Sequence, residues 1–184
     1  MNKNELRKLL KEKRNNLSQD EVILLSKSIN DRLIHFLKDY KQDNYFVYLD
    51  FKNEVKTDDL ITYLLKNNKK VYVPKINNGS MEAAIYNKSL KLIINEFNIK
   101  EPLTKTINID DFICITPLLG VDIYGNRIGF GKGYYDKFLK DKNAIKIGIC
   151  YDFQIINNII PFYGHDIPLD IIISEKRIIE IKKG

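Results

Sequence analysis

Apolar side chains recur with helical spacing at the start of the chain. Three leucines fall on one side of residues 3–15, and many cations occupy the other side. Ser18 and Glu21 have the spacing of a capping box, and the helical period then continues to about Lys38. The pattern therefore predicts two consecutive helices.

Short runs rich in β-branched and aromatic residues follow, and polar turns separate them. Thr57 can cap a helix over residues 58–66, and a second short helix is expected from Tyr134 to about Lys140. A strand, a helix and a strand in close succession favour a parallel crossover, the unit of an α/β fold. The strands are predicted at residues 45–49, 71–74, 112–116, 144–150, 169–174 and 177–181.

Residues 76–110 leave two arrangements open. Within them, residues 81–86 are expected to form an edge strand, and residues 89–94 a strand or a short helix. Glu101 and Pro102 are expected to form a turn. The region is therefore either a small β-rich excursion or a surface meander.

Residues 125–136, with the sequence GNRIGFGKGYYD, follow a predicted strand and concentrate glycines and cations. The alternating glycines, Gly129, Gly131 and Gly133, allow positive φ at several points. Such a backbone can turn successive N–H groups toward one anion. The helix that follows would add the partial positive charge of its N-terminus.

Two cations in this glycine stretch strengthen the same interpretation. Arg127 offers a planar fork suited to phosphate oxygens, and Lys132 adds a second full charge. The stretch is neither the dinucleotide fingerprint, because Tyr134 stands where a third glycine would fall, nor a P-loop. We predict a phosphate-binding loop, with an ordinary glycine-rich loop as the alternative.

Other polar residues are candidates with a plain structural alternative. Lys3 and Arg7 lie four residues apart and share one helix face, although a solvated charged face explains this spacing equally well. Glu54 follows the first strand, and loops at the carboxyl ends of strands line the ligand crevice in open α/β folds. A solvated glutamate is the alternative for this position.

Composition excludes several function classes. The net charge of +6 favours anionic ligands, but scattered lysines among acidic residues argue against nucleic acid, which leaves an RNA-binding module as a minority alternative. Cys114 and Cys150 lie in apolar runs, which predicts buried, inert thiols. With only two histidines, His35 and His165, a zinc site is not expected. The apolar runs are too short for a membrane span, and the charged N-terminus predicts a cytoplasmic protein.

Taken together, several stretches resemble the 5-formyltetrahydrofolate cyclo-ligase family. The glycine stretch resembles the signature of that family, and the remaining matches occur in the same order along nearly the whole chain. The resemblance implies a three-layer α/β fold with an open, mostly parallel sheet and helices on both faces. It also implies a relation to the sugar-phosphate isomerase and CoA-transferase-like group. The other matching stretches are residues 3–7, 53–57, 71–74, 101–102, 152–154 and 165–170.

The resemblance implies an ATP- and Mg²⁺-dependent ligase that converts 5-formyltetrahydrofolate to 5,10-methenyltetrahydrofolate, with release of ADP and phosphate. We expect a monomer in which residues 1–184 form a single domain, with these two small molecules as substrates and no nucleic-acid or membrane partner. Phosphoryl transfer needs positioning and charge neutralisation more than a protein nucleophile. A relative that keeps the nucleotide loop but acts on another substrate is the enzymatic alternative.

The resemblance also assigns roles to residues. Arg127 and Lys132 are expected to be catalytic, Asp136 and Asp166 to serve Mg²⁺, and His165 to be structural. Asp136 could instead cap its helix. Folate would be held by Leu49, Glu54, Phe130, Gly131, Lys132, Gly133 and Tyr134. ATP would be held by Lys3, Asn4, Glu5, Leu6, Arg7, Arg127, Ile128, Gly129, Phe130, Gly131, Lys132, Gly133, Tyr134 and Tyr135.

Overall fold

A computed structural model describes residues 1–182. Within these residues, four α-helices and a set of mostly short strands make up the fold, with a 3₁₀ turn at Asp152–Gln154. The helices are α1 (Lys3–Asn15), α2 (Gln19–Leu37), α3 (Asp58–Lys66) and α4 (Tyr134–Leu139). The strands are β1 (Asn44–Val47), β2 (Lys70–Asn77), β3 (Ser80–Tyr86), β4 (Leu92–Ile94), β5 (Lys100–Pro102), β6 (Thr106–Ile107), β7 (Phe112–Thr116), β8 (Gly120–Asp122), β9 (Arg127–Ile128), β10 (Ala144–Ile149), β11 (Ile155–Ile156), β12 (Ile171–Ile173) and β13 (Ile178–Glu180).

An eight-stranded sheet in the order β13-β12-β10-β7-β1-β2-β3-β6 forms the centre of the fold. The five inner strands, from β12 to β2, pair in parallel, and β13, β3 and β6 pair antiparallel at the two flanks. The crossover from β1 through α3 to β2 is parallel, as predicted. A smaller sheet of β11, β8 and β9 carries the start of the glycine stretch.

Helices cover both faces of the main sheet. In β1, Tyr45 and Val47 point to the face that α2 and α3 cover, whereas Phe46 points to the opposite face and stacks on Phe138 of α4. Adjacent strand residues point to opposite faces, so fully apolar strands must be buried on both sides. The predicted three-layer α/β fold is confirmed.

The helix predictions hold, apart from one cap. Ser18 and Glu21 form both hydrogen bonds of the predicted capping box. Thr57 directly precedes α3, but its side chain makes no cap; its hydroxyl donates to the carbonyl of Tyr48 instead, 2.8 Å away. The capping prediction for Thr57 is therefore wrong, because its hydroxyl ties α3 back to the end of β1.

Residues 76–110 form a β-rich excursion. Strand β3 pairs with β2 on one side and with β6 on the other, so its prediction as an edge strand is wrong. Glu101 and Pro102 belong to β5, which pairs with β4, so the predicted turn is wrong as well. Buried Glu101 accepts hydrogen bonds from the Ile76 N–H and the Asn95 side chain, which fastens the β4–β5 hairpin to β2.

Both cysteines are buried as predicted, and burial raises the pKa of the Cys114 thiol to about 12. A thiol with so high a pKa carries almost no thiolate at neutral pH, which makes it a poor nucleophile. None of the helices within residues 1–182 is long and apolar enough to cross a lipid bilayer.

Asn53 joins three segments at one end of the sheet. Its side-chain amide donates to the carbonyls of Arg14 (2.9 Å) and Leu17 (3.1 Å), and its side-chain oxygen accepts from Gln19. Its own carbonyl accepts the Tyr151 hydroxyl at 2.8 Å. Since the last carbonyls of a helix lack partners in the next turn, Asn53 adds a side-chain donor at the end of α1, beside the N–H groups of Asn16 and Leu17.

We expect Asn53→Ala to lower the free energy of unfolding by about 1–3 kcal/mol, because it removes the hydrogen bonds from this buried amide to the carbonyls of Arg14 and Leu17. Asn67→Ala is the matched control, since the Asn67 amide also donates to a helix carbonyl, that of Tyr63, but from an exposed position. Urea denaturation of both variants measures the difference. A loss for Asn53→Ala no larger than that of the control would contradict the role given to this amide.

Candidate active site

A cavity of about 580 Å³ opens where β1 and β7 end. Leu49 and Glu54 line it from the loop after β1, and Pro117 lines it from the loop after β7. The other walls include one face of α1, the glycine stretch, the β4–β5 hairpin, residues of β2 and β3, and the loop at residues 163–166. The cavity thus occupies the crevice that ligands use in open α/β sheets.

The glycine stretch forms one wall and has the turns that the sequence predicts at two of three positions. Gly131 and Gly133 have φ of +93° and +68°, values that favour glycine. Gly129 does not have positive φ, so that prediction is wrong for this residue. A Cβ at Gly129 would lie 2.8 Å from a terminal nitrogen of Arg127, so a larger residue here would displace the end of that flexible side chain.

Buried Asp122 fixes the base of the glycine stretch. One of its carboxylate oxygens accepts the N–H groups of Tyr124 and Asn126, and the other accepts the Asn126 side chain and the Ile160 N–H, all at 2.9 Å. Four hydrogen bonds satisfy a carboxylate that burial would otherwise destabilise. Asp122 therefore has a structural role, at a position that the sequence did not single out.

Helix α1 brings two cations to the cavity. Lys3 forms an ion pair with Asp166 (2.6 Å), and Arg7 donates from Nε to the carbonyl of Gly129 (2.8 Å). The Arg7 guanidinium also lies beside Gly131. The expectation that Lys3 and Arg7 share one face is confirmed, and that face contacts the glycine stretch. Leu10 fixes the helix by packing against Leu119 and Ile128.

Two carboxylates lie close together at this end of the cavity. Asp136 accepts from Arg127 (3.4 Å) and from the N–H of Ile167 (3.0 Å), the residue that follows Asp166. Burial alone would raise the pKa of Asp166, but hydrogen bonds from Lys3 and the Tyr163 N–H lower it below its usual range. Both carboxylates therefore lie next to cations.

The described residues hold no group of three or more His, Cys, Asp or Glu side chains arranged for a metal ion. A site built from Asp136 and Asp166 would supply only two carboxylates. That set fits Mg²⁺, which keeps several waters and takes other oxygens from substrate phosphates. It does not fit a cation that needs a complete cage of protein ligands.

The β4–β5 hairpin supplies a wall that the sequence analysis missed. Phe97 packs edge-on against Tyr134, with ring centroids 6.2 Å apart, and the Lys132 ammonium lies 4.3 Å from the centroid of the Phe97 ring. Asn95 and Ile99 also line the cavity from this hairpin. Phe97 is half-buried between two short strands, which are too short to give a periodic signal of this placement.

Glu54 lies at the opposite end of the cavity and is buried. Burial raises the pKa of its carboxyl to about 7, although the positive charge of Arg14 and the N–H of Phe51 act in the opposite direction. Its carboxylate accepts that N–H at 2.9 Å. Glu54 is therefore a buried acceptor facing a cavity rather than the solvated glutamate of the alternative.

The cavity brings together most of the residues that the resemblance assigned to ligands. Four of them do not line it: Asn4 and Glu5 are exposed on α1, while Leu6 and Ile128 pack in the cluster beneath. His165 lines it, with an exposed side chain stacked on Tyr163. The assigned residues that line it are Lys3, Arg7, Leu49, Glu54, Arg127, Gly129, Phe130, Gly131, Lys132, Gly133, Tyr134, Tyr135, Asp136 and Asp166.

The raised pKa of Glu54 predicts a pH-dependent stability. Its pKa is about 7 in the folded protein against an ordinary value of 4.5, so the folded state holds a proton that the unfolded chain releases. This stabilisation is complete below about pH 4.5 and is lost as the pH rises through about 7. Glu54→Gln cannot ionise, so it should gain stability relative to wild type across this range, by on the order of 3 kcal/mol.

Chemical denaturation of the ligand-free protein from pH 4 to pH 8 measures this difference. Glu96→Gln is the control, because Glu96 is exposed on the β4–β5 hairpin. A constant difference between wild type and Glu54→Gln over the whole pH range would contradict the raised pKa.

Comparison with known proteins gives the chain its family. The model of the 5-formyltetrahydrofolate cyclo-ligase family matches residues 1–175. A 5-formyltetrahydrofolate cyclo-ligase of Mycoplasma genitalium is 36% identical over 160 residues, which cover 84% of this chain and 87% of that protein.

Two solved structures agree with this match. A 5,10-methenyltetrahydrofolate synthetase from Aquifex aeolicus superposes with a TM-score of 0.85 at 31% identity, covering 100% of this chain and 95% of that one. One from Mycoplasma pneumoniae superposes with a TM-score of 0.76 at 32% identity, covering 95% and 99%. The chain described here belongs to the 5-formyltetrahydrofolate cyclo-ligase family.

Proposed function

We propose that this protein uses ATP and Mg²⁺ to cyclise 5-formyltetrahydrofolate to 5,10-methenyltetrahydrofolate, with release of ADP and phosphate. We propose further that it acts as a monomeric, cytoplasmic enzyme of one domain. The observation that carries the activity is the composition of the cavity. Cations and the glycine stretch line one end, and buried Glu54 lies at the other, so a triphosphate and a pterin could occupy the same space.

The triphosphate would be held by charge and by backbone N–H groups. Lys3 and Arg7 face the cavity from α1, and Arg127 and Lys132 face it from the glycine stretch. The positive φ of Gly131 and Gly133 exposes the N–H groups between them. Donors of this kind stabilise the charge that develops on transferring phosphoryl oxygens.

The pterin would occupy the end of the cavity near Glu54. The Glu54 carboxylate accepts a hydrogen bond from the Phe51 N–H with one oxygen, which leaves acceptor capacity for the N–H groups of the pterin. Leu49, Phe130 and Tyr134 offer apolar surface for the flat ring. The formyl oxygen would then face the glycine stretch.

Asp136 and Asp166 would hold Mg²⁺ together with water and phosphate oxygens. When bound, the ion neutralises charge on the phosphates and orients them. Lys3 and Arg127, which pair with these carboxylates in the ligand-free protein, would then be available to the phosphates.

The reaction divides into two steps. The formyl oxygen attacks the γ-phosphorus of ATP, its bond to phosphorus forms, and the bond to the leaving ADP breaks. The N10 nitrogen then attacks the formyl carbon, loses its proton, and phosphate leaves with the former formyl oxygen. Arg127 and Lys132 would stabilise the phosphoryl oxygens during the first step and the departing phosphate in the second.

The test is an absorbance assay for the methenyl product, with ADP release measured in parallel. Purified protein with ATP, Mg²⁺ and 5-formyltetrahydrofolate should form both products in equal amounts. Omitting either ATP or Mg²⁺ should abolish both signals. Neither product appearing in the complete mixture would overturn the proposal, and ADP release with no dependence on the folate would indicate another substrate.

We expect Lys132→Ala to raise the KM for ATP by about tenfold, the cost of one lost hydrogen bond to a charged group. Lys137→Ala is the matched control, because Lys137 is also exposed and lies five residues along on α4, outside the cavity. Steady-state kinetics at varied ATP measures the effect, with circular dichroism to verify the fold. Equal KM values for the two variants would remove Lys132 from the ATP site.

A further inference from the structure

Arg14 is a buried arginine that lines the cavity from the last turn of α1. Only 3% of its surface is exposed. Its Nε is buried and has no hydrogen-bond partner among residues 1–182, and none of the ion pairs within those residues includes it. Burial of a charged group is costly unless hydrogen bonds compensate it. A ligand in the cavity could supply the missing acceptor.

Phe130, Glu54 and Asn53 surround Arg14 and limit the positions that such an acceptor could occupy. Its guanidinium carbon is 5.4 Å from the centroid of the Phe130 ring, which holds the plane of the guanidinium on one side. Its positive charge acts on the carboxyl of Glu54. The Asn53 amide donates to the Arg14 carbonyl, so the residue next to Glu54 in the chain holds the backbone of Arg14 directly. Arg14 and Glu54 are therefore neighbours in a fixed arrangement.

The chemistry of the two side chains is complementary. An arginine can only donate hydrogen bonds, whereas an ionised glutamate can only accept them. A donor beside an acceptor matches the edge of a cyclic amide, in which a ring N–H and a ring carbonyl are adjacent. The pterin ring has such an edge, where its 4-oxo group lies beside N3–H.

We propose that Arg14 is a substrate-binding residue that donates to the 4-oxo group of the pterin, beside the N–H groups that Glu54 accepts. The proposal rests on the proposed function and adds to it a residue that selects the substrate. In this arrangement Arg14 donates a hydrogen bond to the ring carbonyl, and Glu54 accepts hydrogen bonds from the ring N–H groups. A ring with an amino group at position 4 would turn a donor toward the guanidinium and bind poorly.

The difference between a binding role and a packing role is selectivity. A residue that only fills space affects all ring systems alike, because its loss changes the shape of the cavity for each of them. A residue that donates to one ring atom distinguishes rings that differ at that atom. A site built to hydrogen-bond a polar group discriminates strongly against an analogue that lacks it.

The experiment measures binding without ATP, by titration calorimetry, for 5-formyltetrahydrofolate and its 4-amino-4-deoxy analogue. Wild type should prefer the 4-oxo ligand by at least about tenfold. Arg14→Met, which keeps an unbranched side chain, should weaken binding of the 4-oxo ligand by about 10- to 100-fold. It should narrow the ratio of the two dissociation constants without making them equal, because the 4-amino ring also lacks the N3 hydrogen that Glu54 would accept. Arg14→Lys keeps a charged donor, so its dissociation constant for the 4-oxo ligand should lie between those of wild type and Arg14→Met.

Arg32→Met is the matched control. Arg32 is a half-buried arginine of α2 whose Nε is also buried without a hydrogen-bond partner among the described residues, but it does not line the cavity. It should leave both dissociation constants unchanged. Thermal denaturation of all variants identifies any that fail to fold. If Arg14→Met does not fold, the affinities of Arg14→Lys and the wild-type preference for the 4-oxo ligand test the assignment of Arg14.

Two results would overturn the assignment of Arg14 while leaving the proposed function intact. One is equal weakening of both ligands in the folded Arg14 variants, and the other is equal affinity of wild type for both ligands. In either case wild type would still form the methenyl product. If wild type neither binds 5-formyltetrahydrofolate nor forms that product, the proposed function and the assignment of Arg14 both fail.

Discussion

The hydrogen bonds from the Asn53 amide to the end of α1 hold two walls of the cavity together. They hold the carbonyls of Arg14 and Leu17, while the carbonyl of Asn53 accepts the Tyr151 hydroxyl. Asn53 directly precedes Glu54. One residue therefore connects the end of α1, the loop that carries Glu54 and the segment that follows β10. The side-chain carboxamide has both donors and an acceptor, so it can bind α1 and Gln19 of α2, and the backbone carbonyl of the same residue binds Tyr151.

The two ends of the cavity solve the problem of buried charge differently. At one end, Asp136 and Asp166 are each paired with a cation, Arg127 and Lys3 respectively, at 3.4 and 2.6 Å. At the other end, Glu54 forms no ion pair with any of residues 1–182. The pKa of its carboxyl rises to about 7 because burial outweighs the charge of Arg14. The first end is suited to exchanging partners with phosphates and a metal ion, and the second to accepting from neutral N–H groups.

Much of this arrangement could be predicted from the sequence, for identifiable reasons. The strands of the parallel core are almost wholly apolar, and the capping box of Ser18 and Glu21 is a local signal. The glycine stretch was recognisable because turns with positive φ demand glycine, as Gly131 and Gly133 show.

The parts that could not be predicted depend on contacts between distant residues. Strands β4 and β5 are three residues each, too short for a periodic pattern, and Glu101 stabilises them through residues far along the chain. Arg14 belongs to a helix whose other cations are mostly exposed, and it is buried where the loop carrying Asn53 and the ring of Phe130 meet the end of α1. Thr57 does not cap α3 for a similar reason, since its hydroxyl donates to the carbonyl of Tyr48, directly after β1.

The glycine stretch connects the two ends because its successive residues face different elements. Phe130 lies against Arg14, Gly131 lies beside Arg7, and Lys132 lies over the ring of Phe97 on the hairpin. The positive φ of Gly131 turns the backbone sharply, so the residues on either side of it can face different elements. In the proposed reaction the same three residues would contact both substrates, so this wall would bring the formyl oxygen to the γ-phosphate. Residues at the far ends, such as Glu54 and Asp136, would each serve one substrate alone, which makes them the places where the two binding events can be separated.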